Sequence, residues 1–460
     1  MSDTSDQPQR EASTNRLLNG LGLHRRDLRA WAMYDWALSA QETTIAVAIF
    51  PIFFLVAVAN DLPEATASQY VALGNSASIA LVALLSPILG AVADYAAVKK
   101  KMLAVFMTGG VLASAAMFLI EQGDHLLAIA LFVLASVGAQ GSRVFYESLL
   151  PRIAGEGEVD RVSTAGYAMG YVGGGLLLAL NLAWIQQPQW FGMPSGPGLT
   201  PAEATLPTRL AFVSVAVWWA LFSIPLFRRV PEPDVALESD EARGMNPLSV
   251  GFTRLIETFR EIRAYKQAFL MLLAFLIYND GISTIQKMAT TYGAEVGIDT
   301  GAMITAILIV QFVGIPCTFL FGFLAQYISA KRSIFAGLGV FMIVSVLGYF
   351  MRDATDFYVL ALLVGLAQGG TQALSRSLFA TMIPKHKSGE FFGFYSVFSR
   401  FAAVFGPLVF AGVIGVTGSG RHAILSIIGF FIIGGIILAF VDVDEGKREA
   451  ARAEAALTVV

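Results

Sequence analysis

Apolar positions come in runs of about twenty residues along this chain, and short polar breaks separate them. Runs of that length match the ~20 residues an α-helix needs to cross a bilayer. They fall near 31–58, 69–93, 102–121, 125–149, 162–186 and 208–227, and again near 267–291, 302–326, 333–351, 356–380, 392–416 and 422–441. The pattern predicts an all-α integral membrane protein with twelve transmembrane helices in two six-helix bundles. The longest interior polar interval, 229–265, divides the two sets, and within it Pro247 to Arg263 has the mixed apolar and charged spacing of a helix lying on the membrane surface. The expected organisation is a tail over 1–28, a bundle over 29–228, a loop over 229–265, a second bundle over 266–441 and a tail over 442–460.

The ends are polar. Residues 1–28 show no apolar core after a basic start, so no cleaved signal peptide is expected. The stretch from Asp444 to Glu454 is rich in Ala, Glu, Arg and Lys and is expected to be a short solvated helix or a frayed tail. The polar interval around 187–207 holds Pro188, Pro194, Pro197, Pro201 and Pro207, which predicts an irregular cap.

Basic residues set the orientation. Arg25, Arg26, Arg29, Lys99, Lys100, Lys101, Arg152, Arg161, Lys331, Arg332, Lys385 and Lys387 all fall on the side that carries both ends. The other side holds Arg209, Arg352 and Arg421, near span ends. Positive charge concentrates on cytoplasmic loops, so both termini are expected in the cytoplasm.

Composition narrows the function. Of 460 residues, 56% are hydrophobic and 14% charged, against about 25% charged in soluble domains. That excludes a soluble enzyme, a nucleic-acid binder and a secreted disulfide scaffold. A net charge of −3 suggests no polyanionic partner, and the single cysteine, Cys317, forbids an intrachain disulfide. His24, His125, His386 and His422 fall in tails, loops or span edges. There is no Walker A sequence, no H-E-x-x-H and no Cys/His cluster. Neither an enzyme nor an ATP-driven pump is expected, and no cofactor or metal site.

The halves repeat each other. Gly90, Asp94, Lys99 and Lys100 recur as Gly322, Gln326, Lys331 and Arg332, an offset of 322 − 90 = 232. Arg143 with Pro151 recurs as Arg376 with Pro384, an offset of 376 − 143 = 233. Parallel six-helix repeats of this kind describe the major facilitator architecture. The chain resembles that superfamily, and its vacuole-effluxer-like branch in particular. The matching stretches are Trp31-Ala-Met-Tyr34-Asp35-Trp36-Ala37, Gly166-Tyr167-Ala168-Met169-Gly170-Tyr171, Tyr278-Asn279-Asp280-Gly281 and Gln368-Gly369-Gly370-Thr-Gln372-Ala-Leu-Ser375-Arg376-Ser377. The chain departs from that branch at Leu38, Gln41 and Glu147, which stand where the branch usually has Asn, an aromatic and often Asn. The resemblance implies a secondary transporter of the bacterial inner membrane and favours amino acids, since fungal members are implicated in exporting them from the vacuole.

Ionisable residues within spans are costly unless paired or hydrated, so they mark function. Glu42 and Asp280 reach the midplane by residue count and are the candidates for a substrate and proton pathway, with Lys287, Gln41, Gln286, Tyr34, Tyr278 and Asn279 around them. Asp35, Asp94, Lys99, Lys100, Arg143, Glu147, Lys331, Arg332 and Arg376 lie nearer the terminal end. They are expected to form a charged cytoplasmic gate, with Asp94, the Lys99 cluster, Arg143 and Glu147 in one latch. Gly166, Gly170 and Gly174, at four-residue spacing, predict a close helix contact. The expected partners are a small polar solute, the bilayer and a coupling proton, with the protein a monomer. A membrane receptor and a lipid flippase on the same scaffold are the alternatives.

Overall fold

The computed structural model describes residues 18–62, 64–155, 157–233, 253, 256, 265–298, 300–401 and 405–455. The surface helix expected over 247–263 lies outside them, apart from Thr253 and Ile256. Among the described residues, eleven helices are long and apolar enough to cross a membrane. They are α1 (Arg26–Val58), α2 (Glu64–Ala96), α3 (Lys99–Ala116), α4 (His125–Ile153), α5 (Val159–Gln186) and α6 (Pro201–Arg229), followed by α7 (Lys266–Val296), α8 (Thr300–Ile328), α9 (Ala330–Phe350), α10 (Ala354–Thr381) and α12 (Gly420–Phe440). Between α10 and α12, α11 is described in two pieces, Ser388–Phe401 and Phe405–Thr417. These twelve membrane helices form two six-helix bundles.

Both described chain ends lie at one face, called here the terminal face. Arg25, before α1, donates to the carbonyl of Ile153 at the end of α4. Lys331, at the start of α9, donates to the carbonyl of Val441 just past α12 at 2.7 Å. The bundles meet where α2 packs on the first piece of α11 and where α5 packs on α8 and α10.

α1 is not a regular helix. Its first part, Arg26–Ala40, is α-helical, but Gln41–Ile49 and Phe54–Val58 are π-helical. Within the first π stretch each N–H reaches one residue further back, as in the bond from the Phe50 N–H to the Ile45 carbonyl. Pro51 lies two residues beyond it and has no N–H for the carbonyl of Val47, its α-helical partner. Wide turns of this kind concentrate at functional sites.

Two expectations about connections change. α6 begins at Pro201, so Pro207 is a buried helix residue rather than part of a cap. The start is fixed by a capping box, in which Thr200 accepts from the Glu203 N–H and Glu203 reaches back to the Thr200 N–H. The tail from Asp444 belongs to a helix, α13 (Val443–Ala455), but that helix is docked rather than simply solvated. Gly446 and Ala450, one turn apart, are its buried stripe. Glu449 accepts from the Gln267 N–H at 3.1 Å, and Glu454 from the Lys385 N–H at 2.8 Å.

Candidate functional site

The charged residues of the spans gather into a cluster centred on Asp35, ~14 Å along α1 from Arg26. Asp35 stands on the last regular turns before the π stretch, and Glu42 stands on the π stretch itself. From α4 comes Arg143, whose Nε and Nη2 donate to the two oxygens of Glu42 at 3.2 and 2.6 Å. Its Nη1 is 3.6 Å from Asp35 Oδ1 and 4.0 Å from Glu147 Oε1. From the other bundle comes Arg376 on α10, fully buried at 0% exposure. Its Nη1 lies 3.3 Å from Asp35 Oδ2 and 3.7 Å from Glu147 Oε1. Its remaining donors go to α5, from Nε to the Ser163 hydroxyl at 2.9 Å and from Nη2 to the Ser163 carbonyl at 2.8 Å.

Aromatic rings wall this arginine. Tyr167 lies 4.4 Å and Trp31 5.0 Å from the guanidinium carbon, distances at which a ring face attracts a cation. Trp31 stacks on Tyr146 with centroids 4.4 Å apart, and the Tyr146 hydroxyl donates to Asp35 Oδ2 at 2.8 Å. Gly166 leaves room for the cluster, because a Cβ there would lie 2.7 Å from Asp35 Oδ2 and 2.9 Å from the Trp31 ring. The glycine spacing of α5 thus lets α5 approach α1, and at Gly166 it also admits ionised side chains. Two guanidinium groups face three carboxyl groups, a formal excess of one negative charge when all five are ionised.

Access to the cluster is layered. The side chains of Glu42 and Arg143 are 39% and 18% exposed. Those of Asp35, Glu147 and Arg376 are at most 5% exposed. Three hydrogen bonds that join the bundles lie level with these residues or on their terminal side. Ser377 donates to Asp160 at 2.5 Å, Ser163 to the Ala373 carbonyl at 2.7 Å, and Arg152 to the Lys385 carbonyl at 2.9 Å. Glu42 stands on the side of the cluster away from these bonds and is its most exposed acid.

The expected single latch is divided in two. Arg143 and Glu147 belong to the cluster around Asp35. Asp94 and Lys99 form a separate buried pair at 2.5 Å, where Lys99 donates to Ser388 and Asp94 accepts from the Glu390 N–H of α11. Gly90 makes that crossing possible, since its Cβ position is filled by the backbone of Gly389. Lys100, Lys331 and Arg332 stay within their own bundles. The ammonium of Lys100 donates to the carbonyls of Phe227 and Val230, and that of Lys331 to those of Ala439 and Val441. Both thus satisfy carbonyls at helix ends, where a cation is favoured. Arg332 is exposed, and its N–H is capped by Ser329.

Glu42 and Asp280 are not brought together. Both oxygens of Asp280 accept from the Gly406 N–H of α11 at 2.9 Å, so this carboxylate is held by the α11 backbone. Asn279 accepts from Gln372 at 3.2 Å, and Tyr278 shares a 2.5 Å bond with Ser375. Tyr34 is buried with its ring 5.0 Å from Tyr146. Gln286 and Lys287 are exposed on α7. Gln41 is buried, and its amide nitrogen has no hydrogen-bond partner among the described residues; the same holds for the amide oxygens of Gln140 on α4 and Gln368 on α10. Such groups call for a solute or water. Sequence reasoning missed Gln140, Gln368, Ser163, Tyr146 and Tyr167 as site residues. A signal for the first was its position one turn before Arg143. A cavity of about 690 Å³ at the opposite end of the first bundle, lined by Ile49, Ile52, Phe53, Asn60 and Arg209 among others, includes none of the clustered charges.

Comparison with known proteins agrees with this architecture. Residues 56–451 match the family described as "Vacuole effluxer Atg22 like". The chain is 35% identical over 420 residues to the uncharacterized MFS-type transporter YxiO of Bacillus subtilis, covering 90% of this chain and 94% of that protein. It is 26% identical to autophagy-related protein 22 of Yarrowia lipolytica over 63% of this chain, and there it spans about half (51%) of the relative's length. The solved structure of the proton:xylose symporter XylE, a major facilitator protein, superposes with a TM-score of 0.70 at 12% identity, covering 93% of this chain and 98% of that one. The chain is a transporter rather than an enzyme, and it belongs to the vacuole effluxer Atg22-like family of the major facilitator superfamily.

Proposed function

We propose that this transporter is a secondary active carrier of a small polar solute with an ammonium group, amino acids first, working by alternating access. The observation that carries the reading is the charged cluster between the bundles, bonded across on the terminal side and most exposed away from it, at Glu42 and Arg143. A cleft closed at one end is one of the two states such a carrier visits. The excess carboxylate of the cluster suits an ammonium group or a proton, and Arg143 suits a substrate carboxylate. Gln41, Gln140 and Gln368 supply neutral groups for the rest of the solute. The terminal face is cytoplasmic because basic residues crowd it. The membrane is the bacterial plasma membrane, the coupling ion a proton and the protein a monomer. The family description, "vacuole effluxer", supports movement of solute away from the side of storage.

The test is counterflow in proteoliposomes. Vesicles preloaded with an unlabelled amino acid are expected to accumulate the labelled one, faster or further with a pH gradient. Ligand binding without flux would make the protein a receptor. Movement of labelled phospholipid in its place would make it a flippase.

A further inference from the structure

Two arginines, one from each bundle, compete for the same two acids. Asp35 Oδ2 and Glu147 Oε1 hold Arg376 at 3.3 and 3.7 Å. Asp35 Oδ1 and Glu147 Oε1 stand 3.6 and 4.0 Å from Arg143. Arg143 reaches them only through Nη1, because its Nε and Nη2 are both engaged by Glu42. A two-pronged guanidinium–carboxylate pair is the strongest contact of its kind, so Glu42 decides where Arg143 rests. Glu42 is also the carboxylate of this cluster that the open side reaches most freely.

We propose that Glu42 is the receptor for a cation, and that its occupation unlocks the terminal face. The cation is the ammonium group of the solute or a proton. A cation on Glu42 releases Arg143, which moves the short distance onto Asp35 and Glu147. Arg376 then loses the charges that hold α10 against the first bundle. The net charge of the cluster is unchanged, because the entering cation makes up for the departing Arg376 and Arg143 takes over its two acids. Among the described residues Glu42 is paired with Arg143 on α4, and the charged and titratable groups around that arginine and Glu147 are Asp35 on α1, Tyr167 on α5 and Arg376 on α10. Of these, Arg143 is the group whose contact with Glu42 must break. The proposal rests on the carrier reading above and adds the order of events.

The experiment measures the opening directly, so it does not depend on knowing the solute. Spin labels are placed at Lys101→Cys and Asp444→Cys, both exposed at the terminal face, in a Cys317→Ser background. Pulsed electron resonance then reports the distance between the bundles in nanodiscs. Glu42→Gln removes the charge that restrains Arg143 and is expected to raise the ratio of open to closed molecules about tenfold. Glu42→Gln with Arg143→Gln lacks the competitor and is expected to return to the wild-type distances. Wild-type distances in the single variant, or equal opening in the double variant, would overturn the relay.

Wild-type protein supplies the arm that no folding defect can confuse. Going from about pH 8 to about pH 5 tests the proton. Ethylammonium and L-alanine at constant pH test the ammonium group, and propionate is the matched anion. Opening with acid, or with either ammonium compound but not with propionate, supports the proposal and tells the two cations apart. No opening with any cation, or opening with propionate alone, overturns it. Failure of amino-acid counterflow alone would instead remove the solute class and leave the relay standing.

Discussion

Arg376 is bound at every donor that matters, which makes it intolerant of conservative change. Nη1 serves the acids, while Nε and Nη2 serve the hydroxyl and carbonyl of Ser163. Lysine offers a single ammonium and cannot span both sets. Arg376→Gln leaves Asp35 and Glu147 buried without this cation, a loss of about 3–5 kcal/mol. Arg376→Gln is expected to lower the thermal unfolding midpoint in detergent clearly, and Arg376→Lys to recover only part of it. An unchanged midpoint for the glutamine variant would show that the pair contributes nothing to holding the bundles together. Gly166 is constrained by the same cluster. Gly166→Ala places a methyl group against Asp35 and Trp31 and should cost about 1–3 kcal/mol, measured as a shift in the same midpoint. The residue types at this site were legible from the sequence, because ionised groups inside spans stand out. Their pairing was not. Residue count set Glu42 and Asp280 at similar depth, but depth says nothing of azimuth, and Asp280 turns to the α11 backbone while Glu42 turns to Arg143.

At the scale of elements, the twelve spans were readable from apolar run length alone, and their ends shifted by a few residues. The run over 31–58 predicted one continuous helix, and its apolar pattern gave no sign of the π stretches. A window of nine residues cannot separate a period of 3.6 from a slightly wider one, least of all where a block of four polar residues is followed by a block of five apolar ones. Pro51 was the available sign. By withholding a donor from the preceding turn, it favours the wider register that carries Gln41 and Glu42. Pro51→Ala restores the missing N–H and lets the segment tighten. The variant is expected to gain thermal stability and lose counterflow rate, because Glu42 is rotated relative to Arg143. A variant that transports at the wild-type rate would show that the wide turns do not matter to the site. The start of α6 carried its signal openly in Thr200, Pro201 and Glu203, a capping box with proline at the first helical position.

At the scale of the molecule, the repeat offset of 232–233 located the bundles and matched Arg143 with Arg376. It could not show that the site itself is unsymmetrical. The acids that both arginines use, Asp35 and Glu147, belong to the first bundle. At an offset of 233 their counterparts are Ala268 and Ala380. A symmetric scaffold thus carries an unsymmetrical lock, in which the second bundle supplies the cation and the first the acids. If transport requires this interface to separate, a covalent bond across it must stop transport. Asp160 on α5 and Ser377 on α10 already join the bundles through a 2.5 Å side-chain hydrogen bond, so a cysteine pair is placed there. In a Cys317→Ser background, Asp160→Cys with Ser377→Cys is expected to lose counterflow on oxidation and to regain it on reduction. Either cysteine alone should be insensitive to the oxidant. Flux that persists with the bond fully formed would mean that solute crosses without the terminal face opening. The carrier would then have to work by something other than alternate separation of these two bundles.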